Sequence, residues 1–392
     1  LYLKFSAAQI FDGFQFLPPH TVLVTTQDGT IADIIRATDA GDDIQYWSGL
    51  ICPGFINAHC HLELSHLKGQ VPRHTGLVDF LTGVMFNRQA SPQQKEYAMQ
   101  QAEQEMLANG IVAVGDICNT TDSLSLKQLS SLQFYNFIEA TGFMPASAHN
   151  RFSAAVNTAA AFQALPYPCS IVPHAPYSVS PALMALINEA SLGQCISLHS
   201  QEAAAENEFF LTGTGEFLRL YQQLGIDIGF YKAPGKSSLQ AVWPQLDSAS
   251  NILLVHNVAL LPEDIRLLQK DGTASTTVAH LCICPNANLY IGGQLPAVND
   301  LAQTGINIVL GTDSLASNHQ LCLVHEMAVL QQHFPQLPLA TLLQWTTANG
   351  AAALGMQHRL GSITIGKKPG LVGITVSAAN MVMEKGPIKR LI

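Results

Sequence analysis

The sequence predicts an α/β fold in which eight parallel strands build a barrel or sheet and the two chain ends form a small β domain beside it. Three observations carry this. Residues 1–50 consist of short alternating runs; from Pro53 onward β-branched runs alternate with longer helical ones; after Gly361 strand texture returns. In the first segment, TVLVTTQDGTIADII turns at Asp28-Gly29 and reads as a hairpin. The eight strands fall at 49–58, 111–116, 133–139, 169–174, 195–199, 252–256, 275–283 and 306–312. Between them lie helices, such as SPQQKEYAMQQAEQEMLANG, where Ser91-Pro92 is a start and Gly110 a stop. The last helix falls in PLATLLQWTTANGAAALG, and GSITIGKKPGLVGITVSA returns the chain to strand.

Composition narrows the function classes. The 392 residues are 48% hydrophobic and only 12% charged, about half the usual charged share. A disordered chain is excluded, and a large core is implied. No run of about 18 or more uninterrupted apolar residues is present, which argues against a membrane span. The opening LYLKFSAAQIFDGFQF lacks the basic segment, apolar block and cleavage site of a secretory signal. With 19 basic against 28 acidic residues and a formal charge of −9, nucleic acid is excluded as the main ligand. The eight cysteines mostly lie in apolar, strand-like runs, where thiols pack as small hydrophobes. No disulfide framework is expected, and the protein reads as cytoplasmic.

The ionisable residues fall at the ends of these strands. His59-Cys60-His61 closes strand one, His174 strand four, His199 strand five, His256 strand six and Asp313 strand eight. In a (β/α)8 barrel the C-terminal strand ends converge on one mouth, where active sites of this fold sit. His59 and His61 point to one side of an extended segment, so both can reach one ion. Imidazole and carboxylate donors suit a divalent ion such as zinc. A lone histidine at a strand end is usually a hydrogen-bonded rim residue, but five histidines and an aspartate together point to a site. Glu202 follows His199 by three residues, close enough to bring a proton-carrying carboxylate to the same pocket. It could equally sit in a helical first turn, where acids favour the macrodipole.

PGFINAHCHLELSHL, HAPYSVS, LHSQE, LLVHNVAL and GTDSLASN resemble, in order, the motifs of the amidohydrolase superfamily. Within it the chain is similar to the aminohydrolase branch, which includes methylthioadenosine/S-adenosylhomocysteine deaminases, guanine deaminases and triazine chlorohydrolases. CPNANLYIGGQLP, TTANGAAALG and GSITIGKKPG extend the likeness over nearly the whole chain. The resemblance implies a distorted (β/α)8 TIM barrel over 53–356 and a small β-sandwich domain from 1–52 plus 357–392. It implies a hydrolase of carbon–nitrogen bonds other than peptide bonds, deaminating an aminated, purine- or nucleoside-like heterocycle with metal-activated water and releasing ammonia. By the same resemblance, His59, His61, His199 and Asp313 hold one divalent ion, zinc or alternatively iron. Glu202 acts as acid and base, His256 stands beside the attacking water, Asp313 also accepts its proton, and His174 contacts substrate. CSIVPHAP has no lysine to carry a bridging carbamate, so one metal is expected.

Two departures bear on substrate. The loop RHTGLVDFLTGVMFNR lacks the glutamate with which the SAH-type deaminases grip ribose, and GKKPGLVGIT has Pro-Gly-Leu for the usual Ala-Asp-Leu. Arg73 and Arg88 in the strand-one loop, and Arg151 in HNRFSAAV, supply forks that favour a carboxylate. Arg73 and Arg151 are therefore taken as substrate-binding, for a small heterocycle with an acidic appendage such as aminodeoxyfutalosine. A homodimer is compatible with this reading, and no nucleic-acid or membrane partner is expected. His61-Leu62-Glu63 imitates half of the cytidine-deaminase signature, but no Pro-Cys-x-x-Cys follows. The alternatives are a cyclic-amide hydrolase resembling imidazolonepropionase, a chlorohydrolase on the same barrel, and an inactive assembly protein.

Overall fold

The computed structural model describes residues 2–271, 277–377, 382 and 386–392. Among the described residues fourteen strands are formed: β1 Tyr2–Ile10, β2 Thr21–Thr26, β3 Ile31–Arg36, β4 Ile44–Pro53, β5 Phe55–Cys60, β6 Ile111–Cys118, β7 Gln133–Ala140, β8 Cys169–Pro173, β9 Cys195–Ser200, β10 Asn251–His256, β11 Val278–Ile283, β12 Asn307–Leu310, β13 Leu371–Ile374 and β14 Lys389–Arg390. The chain ends share one six-stranded sheet, ordered β14-β13-β4-β1-β2-β3. Its β2–β3 hairpin turns where the sequence places Asp28-Gly29. Gly29 takes φ 90°, and the Asp28 carboxylate accepts from the Thr30 amide.

The barrel strands form two four-stranded parallel sheets, β5-β6-β7-β8 and β9-β10-β11-β12. FINAHC and IVAVGDIC are buried along their whole length, as strands covered on both faces require. Neither seam between the half-barrels carries a strand ladder; isolated bonds bridge them. At one seam the His199 amide donates to the His174 carbonyl at 2.9 Å, and Ser170 Oγ to the Cys195 carbonyl at 2.6 Å. At the other, the Thr312 and Asp313 amides both donate to the His59 carbonyl at 3.1 Å. Asn57 and Thr312 reinforce this with a reciprocal pair, 2.8 and 3.0 Å. Gly311 permits the approach, since a β-carbon there would lie 2.8 Å from the His59 carbonyl oxygen.

The eight barrel strands stand close to their sequence positions, with instructive differences. The predicted run 49–58 is two strands: β4 stays with the end sheet, Gly54 bonds back to Pro369 and Gly370, and β5 begins the barrel. Positions 275 and 276 of the seventh predicted strand lie outside the described residues. The eighth ends at Leu310 because Thr312 and Asp313 leave the ladder for His59. Helix Pro92–Ala108 starts with a full capping box between Ser91 and Gln94. The last predicted helix is two, Leu339–Thr346 and Ala348–Ala353. They break at Thr347, where Thr346 and Thr347 hydroxyls bond back to carbonyls of the preceding turn.

One apolar core fills the barrel and its helices, while a second cluster, rich in aromatic residues, lies at the mouth. There Phe143 stacks on Tyr221 and Phe209 on Tyr231, with ring centroids 4.6 and 4.4 Å apart. All eight cysteines are free thiols. Among the described residues no helix is long and apolar enough to cross a membrane.

Candidate active site

His59 and His61 leave the end of β5, His199 the end of β9, and His256 the end of β10; Asp313 lies three residues beyond β12. Their polar tips meet. His61 Nε2 lies 3.1 Å from His59 Nε2, 3.2 Å from His199 Nε2 and 3.4 Å from Asp313 Oδ1, and His59 Nε2 is 3.6 Å from the same oxygen. The ligating atoms of His59, His199, His256 and Asp313 also lie within 4.8 Å of one another. All five side chains are buried. The backbone here is strained: His256, Asn257, Asp313 and Gln201 take positive φ of 79°, 59°, 55° and 50°, a conformation costing about 1–3 kcal/mol per non-glycine residue. Strain retained in four residues around one cavity points to a site built for use.

Hydrogen bonds divide the imidazoles into two kinds. His199 donates from Nδ1 to the His174 carbonyl at 2.9 Å, which leaves Nε2 bare and aimed at the cluster. On His256 the polarity is reversed: Asn288 Nδ2 donates to Nδ1 at 3.0 Å, so the ring proton sits on Nε2, 3.5 Å from Glu202 Oε1. His199 can therefore ligate a cation, whereas His256 is a proton donor facing a carboxyl group. Burial keeps these rings neutral, as ligands must be. It lowers His199 to about 3, helped by the charge of His174, and holds His61 well below its ordinary value, helped by His59. For Asp313 burial works the other way, but its contacts with the imidazoles of His59, His61 and His256 outweigh it and hold its carboxyl well below the usual range. Ser317 Oγ donates to its second oxygen. Three imidazole nitrogens and one carboxylate oxygen around a common point form a donor set that fits a divalent ion.

Glu202 is the opposite case. Its side chain is 6% exposed, and burial, then the charges of Asp313 and Glu206, push its carboxyl well above the usual range. It can hold a proton at neutral pH. Beside it opens a cavity of about 470 Å³ bordered by Leu77, Asn288, Ile291, Glu208 and Glu216. His174 stands at the end of β8 with Nδ1 2.7 Å from Ser178 Oγ, and burial, then Arg88, lower it to about 4. A second cavity of about 520 Å³ lies at the far, N-terminal ends of the strands, away from these groups.

The arginines singled out from the sequence stand outside the cluster. Arg73 is exposed, with its guanidinium carbon 5.4 Å from the centroid of the Tyr290 ring. Arg151 is exposed in the first turn of helix Ala148–Phe162, its stem against Gly142 just beyond β7. Arg88 comes closer, since its charge is the first to act on His174. Sequence reasoning passed over Asn288, Ser317 and Ser178, which hydrogen-bond His256, Asp313 and His174, and Glu139, which lies 3.8 Å from His199. The first three lie inside the motifs CPNANLYI, GTDSLASN and HAPYSVS, so the motif boundaries marked them, but their partners are visible only in three dimensions.

Glu63 has a structural role. Its carboxylate accepts the Asn119 amide at 3.1 Å and the Thr120 amide at 3.1 and 3.2 Å. Burial, then Asp116, raises it to about 7. The folded protein thus holds this proton over a range where the unfolded chain has lost it, and stability falls as pH rises from about 4.5 to about 7. In Glu63→Gln the drop in unfolding free energy between pH 5 and pH 8 is expected to shrink by roughly 2–3 kcal/mol. Urea denaturation of wild type and variant at both pH values checks this, with metal content unchanged.

A family model described as the amidohydrolase family matches residues 50–390. A 5-methylthioadenosine/S-adenosylhomocysteine deaminase of Syntrophobacter fumaroxidans is 24% identical over 363 residues, covering 88% of this chain and 76% of its own. An aminodeoxyfutalosine deaminase of Nitratiruptor is 26% identical over 382 residues, covering 92% and 89%. Among solved structures, Helicobacter pylori aminofutalosine deaminase in complex with methylthio-coformycin superimposes with a TM-score of 0.79 at 21% identity, covering 96% of this chain and 92% of that one.

Proposed function

The chain belongs to the amidohydrolase family, and from that premise we propose that it is a metal-dependent deaminase of an aminated N-heterocycle. The observation that carries the reading is the Glu202–His256 pair, 3.5 Å apart, set against the cluster of His59, His61, His199 and Asp313. Those four residues would hold one divalent ion, and zinc suits three nitrogens and one oxygen best, with iron the alternative. When bound, the ion lowers the pKa of a water molecule and makes it a nucleophile near neutral pH.

The remaining steps are proton movements on this chain's side chains. Deamination replaces a ring C–NH2 by C=O: water adds at the amidine-like carbon, a ring nitrogen gains a proton, and ammonia leaves. Glu202, kept protonated by burial, delivers a proton to the ring nitrogen. Asp313, held ionised, accepts one from the attacking water and passes it to the departing amino group, and Glu202 recovers its own from the added hydroxyl as that becomes the carbonyl. His256, its tautomer set by Asn288, donates from Nε2 beside the water. His174, fixed by Ser178, faces the substrate. The curated relatives are named for adenine-nucleoside substrates, which supports a purine-like ring here.

The appendage of that ring is proposed to be acidic, as in aminodeoxyfutalosine. Glu208 and Glu216 on the cavity wall repel an acid there, so it would lie on the side of Arg73 and Arg151. Ammonia release is screened over purines, nucleosides, pterins and triazines, then over a carboxylated adenine nucleoside and its uncharged analogue. The kcat/KM ratio of that last pair is expected to favour the acid in wild type and to fall about 10-fold or more in Arg73→Met or Arg151→Met. If neither variant alters the ratio, the acid-binding role is wrong. If no heterocycle releases ammonia, the deaminase reading fails.

A further inference from the structure

β7 ends in Ile138-Glu139-Ala140, and Glu139 brings a carboxylate behind the cluster with its side chain only 6% exposed. Oε1 accepts from Asn119 Nδ2 at 2.7 Å. Asn119 is itself fixed twice: its backbone amide donates to Glu63 Oε2 at 3.1 Å, and its Oδ1 accepts from Arg88 Nη2 at 2.6 Å. Oε2 is buried and has no hydrogen-bond partner among the described residues. It lies 3.8 Å from His199 Nδ1. A buried carboxylate oxygen without a partner is costly, so the neighbour it faces matters. That neighbour is the far side of an imidazole whose Nε2 points into the cluster.

We propose that Glu139 is a positioning residue that orients His199 and strengthens it as a metal ligand, an inference resting on the metal-dependent function above. A cation on Nε2 draws electron density from the ring and leaves the Nδ1 side more positive, which the carboxylate stabilises. Ligating histidines commonly carry a carboxylate or carbonyl on their second nitrogen, and such partners govern metal affinity. His199 has both, the His174 carbonyl at 2.9 Å and Glu139 at 3.8 Å. The Arg88–Asn119 arm prevents the carboxylate from turning away. Glu139, His174 and His199 also bring ligating atoms within 4.8 Å of one another, a spacing that a second cation could use. Two features favour the orienting role: His199 Nδ1 already donates its proton to the His174 carbonyl, and the Arg88 guanidinium behind Asn119 repels a second positive charge.

The test is Glu139→Gln, which keeps size and an oxygen for Asn119 but removes the charge. Zinc affinity is measured by chelator competition without substrate, and melting temperature with and without zinc. The affinity is expected to fall about 10- to 100-fold. The two melting temperatures should move in opposite directions: lower than wild type with zinc, equal or higher without it, because the variant no longer buries an unpartnered charge. Unchanged zinc affinity, or an equal loss of melting temperature in both forms, assigns Glu139 to the scaffold alone and overturns the proposal. Two ions bound by wild type and one by the variant would make Glu139 a ligand and overturn it likewise. A wild type that takes up no divalent ion would overturn the metal-dependent function as well, a separate result. If the glutamine variant does not fold, Glu139→Asp, which keeps the charge but draws it back from Nδ1, is expected to show a smaller loss of affinity in the same assay.

Discussion

His199→Ala is expected to remove metal and activity in one step. Wild type should contain one divalent ion per chain by elemental analysis, and the variant none. Its kcat/KM should fall by at least about 10⁴-fold, because the ion supplies the nucleophile and most of the rate enhancement. The size of the effect follows from the position of His199. Its Nε2 lies against His61, its Nδ1 bonds the carbonyl at one barrel seam, and its ring lies between those of His174 and His256. Alanine removes one of the four proposed ligands. Circular dichroism separates this from misfolding, since the strand ladders do not involve the imidazole. A variant that keeps stoichiometric metal would remove His199 from the ligand set. A wild type holding two tightly bound ions, or active with none, would contradict the mononuclear reading.

In Glu202→Gln the metal should stay while turnover drops by roughly 100-fold or more. Glutamine occupies the same space beside His256 and the cavity, but cannot release and recover a proton. None of the four proposed ligands is changed, so metal content should match wild type. The loss should appear in kcat more than in KM, because the proton is needed in the transition state and not for binding. Near-normal turnover would take Glu202 out of the mechanism and bring back a hydrolase of cyclic amides, in which the attacked carbon is a carbonyl.

Much of this arrangement can be read from one sequence because parallel strands buried on both faces are short, continuous and apolar, and polar residues at their ends stand out. FINAHCH, CISLH and NILLVH each end in histidine after such a run. The split at Gly54 was half legible: the change of texture at Pro53 marked the domain boundary, but WSGLICPGFINAHC reads as one strand run, and backbone bonds from Gly54 show that two strands meet there. The break at Thr347 was hidden, because hydroxyl bonds to the preceding turn leave no periodic signature. Glu139 and Asn288 were illegible for a third reason. Each acts on a histidine from another strand, Glu139 on His199 and Asn288 on His256, across sequence separations that spacing cannot connect. Arg73 and Arg151 show the converse: an arginine is easy to find in a sequence, yet its direction is set by its local backbone, a loop for Arg73 and the first turn of helix Ala148–Phe162 for Arg151.

The two unladdered seams have a consequence for how much of this protein a cell can keep. His59 and His61 come from one half-barrel, His199 and Asp313 from the other, so an ion held by all four would act as a clasp across a joint that few backbone bonds close. Folding and metal uptake would then be one equilibrium, with stability rising as the free ion exceeds its dissociation constant. Under metal scarcity the empty chains would open more often along these joints and be cleared by proteolysis. Supply of the ion would thereby set the abundance of the enzyme and not only its specific activity.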